Sequence, residues 1–512
     1  MEDCKPVRVI TSKPYSWSIL RSDIGTFYYR GTLPSIVSSI GCVSIQNIRS
    51  HLEVETSPFS FILETSKSII AAVDQYQSYP IFTKKSGLAD IVFSNVARTL
   101  VQDCELVVPN WESVQQFMAT GYVFGRKTLV KDVHRIGAEL VVYDLERKMY
   151  ESHPYETTDI GGYANFELET ECKQKVVSEI ADRLTEYSTG RPIRIPLGAN
   201  SINRLIFEEL KSRQYGDLEG YFQINASIKN VTGWESFSSK KRNLRIMCLS
   251  QQSILESYLE SDRQFYAEFS DDLSTTPNYS RFFCIQRLIN SHCWPVGSVV
   301  FDSFNWAFAN NGNHSPTLDR AGNSDNLGRE IVEQYCQNWI VSRDGNKSRW
   351  LEKSVRSLLE EFGQTGCSNE LGVDDALGIW FFREYNPKVI MVNRKVFDYF
   401  GLDCVTLDRL VSKEVLSCLS PKNWHVGRKV SMVSGNSGSL YSRINFWIRS
   451  YLQVRKQLPV LNPAYIVQKY RESGTDWVTA FGSRLRLHEL GLLAHQREDL
   501  PHIRLTSEER IR

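Results

Sequence analysis

At 512 residues, 42% hydrophobic and 12% aromatic, the chain has enough apolar material for roughly two or three cored domains, and its composition is neither disordered nor fibrous. Lysine and arginine number 60 against 59 acidic residues, so no charge excess selects nucleic acid or an anionic membrane as partner. The 11 cysteines include no C-x-x-C pair and no histidine at metal-ligand spacing, which argues against a zinc site or a disulfide framework.

The opening segment, Met1-Glu-Asp-Cys-Lys-Pro6, is acidic and lacks an apolar run, and no window reaches the length needed to cross a bilayer. A soluble, cytoplasmic protein is expected. From Val7 to about Tyr150 the apolar residues fall in short β-branched runs: Val9-Ile10, Phe59–Leu63, Ser68–Val73, Ile91–Phe93 and Glu139–Tyr143. Such runs between polar turns predict the strands of a layered, β-rich domain over residues 1–160. Helical spacing is sparse there, and Val114–Thr120 is its clearest piece.

Between Glu169 and Tyr187, Val176, Val177, Ile180, Ala181 and Leu184 recur at helical spacing and stop before Gly190. Ile193 and Ile195 alternate with polar neighbours as in a buried strand, and Ile202, Leu205, Ile206 and Leu210 mark the helix after it. The turn between them, Leu197-Gly-Ala-Asn-Ser201, gathers backbone N–H groups at the positive end of a helix dipole, a favourable place for phosphate. Gly220–Asn225 predicts the next strand.

Three phrases in the first segment, Ala71–Phe82, Ile91–Ser94 and Gly121–Ile136, resemble in order and spacing the amidotransferase domain of asparagine synthetases. The resemblance implies an N-terminal-nucleophile fold. Its chemistry needs a cysteine at the mature N-terminus, because the free α-amine serves as base for the attacking thiolate. Cys4 stands behind Glu2 and Asp3, so removal of the initiator methionine exposes Glu2, and glutaminase activity is not expected.

In the same family a Ser-Gly-Gly-x-Asp-Ser loop opens an ATP-pyrophosphatase domain. Leu197, Gly198, Ala199, Asn200 and Ser201 occupy its place and are the nucleotide-binding candidates that the resemblance implies. Leu197 replaces a serine, Ala199 replaces a glycine, and Asn200 offers a neutral oxygen where a carboxylate would help organise Mg²⁺. Leu273–Leu288, Pro295–Asp302 and Trp380–Gly401 resemble a subgroup found in bacterial surface-polysaccharide gene sets. In that subgroup the second block ends in a metal-binding aspartate; here Asp302 and Asn305 are the candidate metal ligands. In the third block, Arg383 and Arg394 are candidates to line the nucleotide cleft, whereas Trp380, Phe397 and Phe400 read as packing. His314, in Gly312–Pro316, reads as an exposed turn residue.

The resemblance implies an α+β chain: the amidotransferase-like domain, a parallel-sheet α/β domain over 165–430 and a helical extension over 431–512. The implied family reaction is ATP-dependent amide formation through an acyl-adenylate, with ATP and Mg²⁺ as cofactors of an active form. With its motifs eroded at Cys4, at Gly198–Ser201 and at Asn305, the chain is expected to be a non-catalytic binding or partner subunit in a biosynthetic pathway, with a protein partner or an oligomer. The alternative is a divergent amidoligase, acting on a small acidic substrate with ammonia or an amine from another source.

Overall fold

The computed structural model describes residues 9–11, 17–39, 44–55, 58–74, 77–86, 90–101, 108–120, 123, 125–155, 170–197, 201–225, 244–249, 273, 279–290, 292–302 and 396–411. They form a mixed α/β fold of three sheets. The first two sheets come from β1 (Val9–Ile10), β2 (Ser18–Arg21), β3 (Thr26–Gly31), β4 (Phe59–Glu64), β5 (Ser68–Val73), β6 (Phe82–Ser86), β7 (Asp90–Ser94), β8 (Val133–Arg135), β9 (Glu139–Asp144) and β10 (Met149–Pro154). One is antiparallel in the order β10-β9-β5-β4-β3-β2; the other runs β1-β7-β6-β8, with β1 parallel to β7.

Side chains alternate across a strand, so a strand covered on both faces is apolar throughout. In β4 and β5 one set of positions, Ile62, Ile69, Ala71 and Val73, packs with Val9 and Phe93 of the second sheet. The other set, Phe59, Phe61, Leu63, Ile70 and Ala72, packs against Ile48 and Leu52 of helix α1 (Ile45–Val54). This helix has no counterpart in the sequence reading, since two buried residues four apart make too thin a stripe to detect. Ser44 caps it, accepting a hydrogen bond from Asn47 N at 3.3 Å. Helix α2 (Trp111–Thr120) starts three residues before the expected run.

Tyr155 closes the first unit at 7% exposure, and its hydroxyl has no hydrogen-bond partner among the described residues. Burial, with the carboxylates of Asp74, Glu139 and Glu53 nearby, pushes its phenol well above the ordinary value. Tyr155→Phe is therefore expected to be neutral or to stabilise the fold by up to about 1 kcal/mol at pH 7, since an unsatisfied buried hydroxyl is removed. The folded state keeps this tyrosine neutral while the unfolded chain ionises near pH 10. Wild-type stability is thus intact below that pH and falls above it, and the advantage of the variant should widen there. Urea unfolding at pH 7 and pH 10.5 checks both signs.

The third sheet follows helix α3 (Thr170–Ser188) and is built from β11 (Ile193–Pro196), β12 (Leu218–Asn225), β13 (Leu244–Leu249), β14 (Val299–Phe301) and β15 (Asp403–Val405). All its pairings are parallel, in the order β13-β12-β11-β14-β15. Helix α4 (Ser201–Ser212) joins β11 to β12, α5 (Tyr279–Asn290) precedes β14, and the short α6 (Leu407–Leu410) follows β15. Residues of α3, α4 and α6 share one core with Ile193, Ile195, Leu218, Val299, Phe301 and Val405. On the opposite face Trp294 is buried edge-on to Tyr221, with its indole N–H donating to Glu219 at 3.0 Å.

Among the described residues, contacts of Arg30 and Leu129 tie the parallel-sheet unit to the layered one. Arg30 of β3 pairs with Asp398 at 2.6 Å. Leu129 N donates to the carbonyl of Leu273, whose side chain is buried among Phe82, Leu100 and Val133. Among the described residues no helix is long and apolar enough to cross a membrane. The expected helical extension over 431–512, the Gly312–Pro316 loop and Cys4 lie outside the described residues.

Candidate functional site

β11 is the first strand of the parallel sheet in sequence and the third in space, so the chain builds outward from it in both directions. Ligands of open α/β sheets lie beyond the carboxyl ends of the strands where the order reverses, which here is the gap between β11 and β14. The strand pairing Ile193 with Val299 and Arg194 with Val300, carried two residues further, sets Pro196 opposite Asp302. The structure therefore brings the end of β11, the start of α4 and Asp302 to one edge.

The junction is held by specific bonds. Leu197 N donates to Tyr221 O at 2.8 Å and extends the β11–β12 pairing past the strand end. Asn203, 2% exposed in the first turn of α4, donates from Nδ2 to Pro196 O at 2.8 Å and braces the helix against the strand. Asp302 N donates to Val405 O at 3.0 Å, and the Asp302 side chain is 2% exposed. Buried Thr406 follows Val405 on the neighbouring strand end. In the same turn of α4, Arg204 has its Nε buried without a hydrogen-bond partner among the described residues, which adds positive charge near the helix N-terminus.

Leu197 lies with the core rather than with the turn. Its side chain is 3% exposed and sits so closely over Gly220 that a Cβ there would fall 2.2 Å from Leu197 Cδ1. Its N–H is also committed to Tyr221. Ser201 is the first residue of α4. Gly198, Ala199, Asn200, Asn305, Arg383 and Arg394 lie outside the described residues. Phe397 is fully buried, and Phe400 packs 5.1 Å from Phe282, so both are packing residues. Sequence reasoning missed Asn203, whose signal was available: a polar residue inside the apolar stripe of Ile202, Ile206, Phe207 and Leu210.

Among the described residues no three His, Cys, Asp or Glu side chains converge. Mg²⁺ commonly takes only one or two carboxylates and completes its shell with substrate phosphates and water. A single carboxylate such as Asp302 therefore suits a metal that arrives with a polyphosphate and does not suit a free ion.

No protein-family model and no curated protein matches the sequence. Among solved structures, the allosteric regulatory enzyme of purine biosynthesis aligns at 10% identity over 45% of this chain and 62% of its own, with a TM-score of 0.18. Glutamine phosphoribosylpyrophosphate amidotransferase from B. subtilis, complexed with ADP and GMP, aligns at 10% identity over 45% and 63%, with a TM-score of 0.15. The chain thus spans less than two thirds of either protein. Likeness this slight says nothing of activity.

Proposed function

We propose that the chain is an asparagine-synthetase-like protein whose parallel sheet holds the phosphate end of a nucleotide at the β11–β14 reversal, without carrying out amide formation. It acts as a binding or partner subunit, and the layered unit is a non-hydrolytic amidotransferase-like domain. The observation that carries this reading is the meeting of the end of β11 with Asp302 at the strand-order reversal. Support for lost chemistry comes from Leu197, which spends its side chain and its N–H on the core where the family keeps a small phosphate-facing residue. ATP is the ligand class, Asp302 would hold its Mg²⁺, and the N-terminus of α4 would face its phosphates.

ATP with Mg²⁺ is expected to raise the unfolding temperature of the full chain, with about 2.7 kcal/mol of added stability at 100 times the Kd. Asp302→Asn should remove the Mg²⁺-dependent part of that gain. No stabilisation by ATP at millimolar concentration would overturn the binding reading. A second reading, the divergent amidoligase, draws on the retained Asp302 carboxylate. Pyrophosphate release in the presence of ATP, Mg²⁺, aspartate and an ammonia source would favour it and overturn the non-catalytic one.

A further inference from the structure

We propose that Arg30, in the layered unit, is a positioning residue for the sheet edge that carries Asp302 in the other unit; its value for nucleotide binding rests on the function proposed above. Arg30 is the last residue but one of β3, is only 16% exposed at its side chain, and lies 5.1 Å from the centre of the Tyr79 ring. Tyr79 is itself anchored, since its carbonyl accepts the Ser60 hydroxyl at 2.5 Å. A guanidinium held over a half-buried ring loses little further freedom when it meets a carboxylate, and this favours a defined geometry over a loose surface pair. Its partner is Asp398, at 2.6 Å, with its side chain 31% exposed.

Asp398 lies in a short helical stretch, residues 396–399, whose C-terminal end is stitched onto β14. Its carbonyl accepts Gly401 N at 3.1 Å, and Gly401 O accepts Gly297 N at 2.9 Å. Gly401 takes φ +67, the left-handed backbone that lets the chain reverse there. Asp403 N then donates to Ser298 O at 3.0 Å, β15 pairs with β14, and Asp302 N donates to Val405 O at 3.0 Å. Between its ends the Asp398–Val405 segment is also held at Asp403, whose carboxylate accepts from Tyr187 Oη at 2.9 Å and Arg191 at 3.0 Å. One end is held by Arg30 from the layered unit, and the other sets the strand beside Asp302. Moving the first shifts the register or the tilt of the second, because the bonds between leave no slack loop.

Amide hydrogen exchange of the ligand-free full chain tests this without relying on nucleotide binding. Arg30→Ala is expected to lower protection of the Asp302 and Asp403 amides about twofold to fivefold, the upper range of a side-chain ion pair. Asp398→Asn, nearly isosteric, should do the same and serves if the alanine variant fails to fold. The charge exchange Arg30→Asp with Asp398→Arg should restore much of the protection, which a mere packing loss at β3 would not allow. Unchanged protection at Asp302 and Asp403 in Asp398→Asn, with changes confined to β3 and β4 in Arg30→Ala, would overturn the proposal. If wild type and variants alike ignore ATP, the function proposed above fails while the exchange result still decides the role of Arg30.

Discussion

Gly31→Ala is expected to destabilise the layered unit by about 3 kcal/mol or more. Gly31 closes β3 at φ +78, and a Cβ there would lie 2.1 Å from Pro58 O, 3.0 Å from Pro58 C and 2.9 Å from Tyr79 Cε2. Pro58 O is held in place by Thr32 N at 3.0 Å, and Gly31 itself is registered against Phe59 of the buried β4. The obstacle is therefore backbone and cannot swing aside. Gly190 provides the control. It has φ +81 after α3 and nothing within 4 Å of its Cβ position, so Gly190→Ala should cost only about 1–2 kcal/mol for its left-handed conformation. Urea midpoints of the two variants separate clash from conformation, and a loss below about 1 kcal/mol for Gly31→Ala would contradict the packing described. Because Tyr79 would be displaced with it, the same variant should loosen the Arg30–Asp398 pair.

The second large effect is a coupling between Leu197 and Gly220. Leu197→Ala should cost about 2–5 kcal/mol, since a fully packed leucine is cut back above the sheet. Gly220→Ala alone should cost about 1–3 kcal/mol, because its methyl would meet Leu197 Cδ1 at 2.2 Å and Phe207 Cε2 at 3.0 Å. In the double variant the added methyl fills part of the space that the leucine leaves. The combined loss should fall short of the sum by at least about 1 kcal/mol in a double-mutant cycle, whereas additivity within about 0.5 kcal/mol would mean that the two do not touch. The outcome bears on function, since it measures how firmly the first position of the turn is bound into the core.

Much of the strand framework was legible because burial on both faces leaves an unmistakable trace. Phe59–Leu63, Ser68–Val73 and Glu139–Tyr143 are β4, β5 and β9 almost residue for residue. The α3–β11–α4–β12 succession was equally plain, since the spacing of apolar positions changes there from helical to alternating and back. β2 and β10 were not legible: the former is exposed throughout and the latter nearly so, and neither carries an apolar face. β15 has three residues and takes its place from pairing with β14 far away in sequence.

At the candidate site, the residue types of the turn and the presence of Asp302 were readable, but their roles were not. Nothing in the string Pro196-Leu197-Gly198 distinguishes a leucine beside phosphate from one turned onto Gly220, because the choice depends on β12 supplying a residue without a side chain. Asp302 and Pro196 are separated by some hundred residues, and only the parallel pairing of β11 with β14 makes them neighbours.

The chain by itself determined its local elements, because hydrophobic periodicity, caps and turn residues act over a few positions and are written in order. Tertiary structure alone decided the order of the parallel strands, the direction taken by Leu197, and the pairing of Arg30 with Asp398. Each of these is settled by contacts between distant segments, whose free energy depends on what the other segment presents and not on the neighbours along the chain.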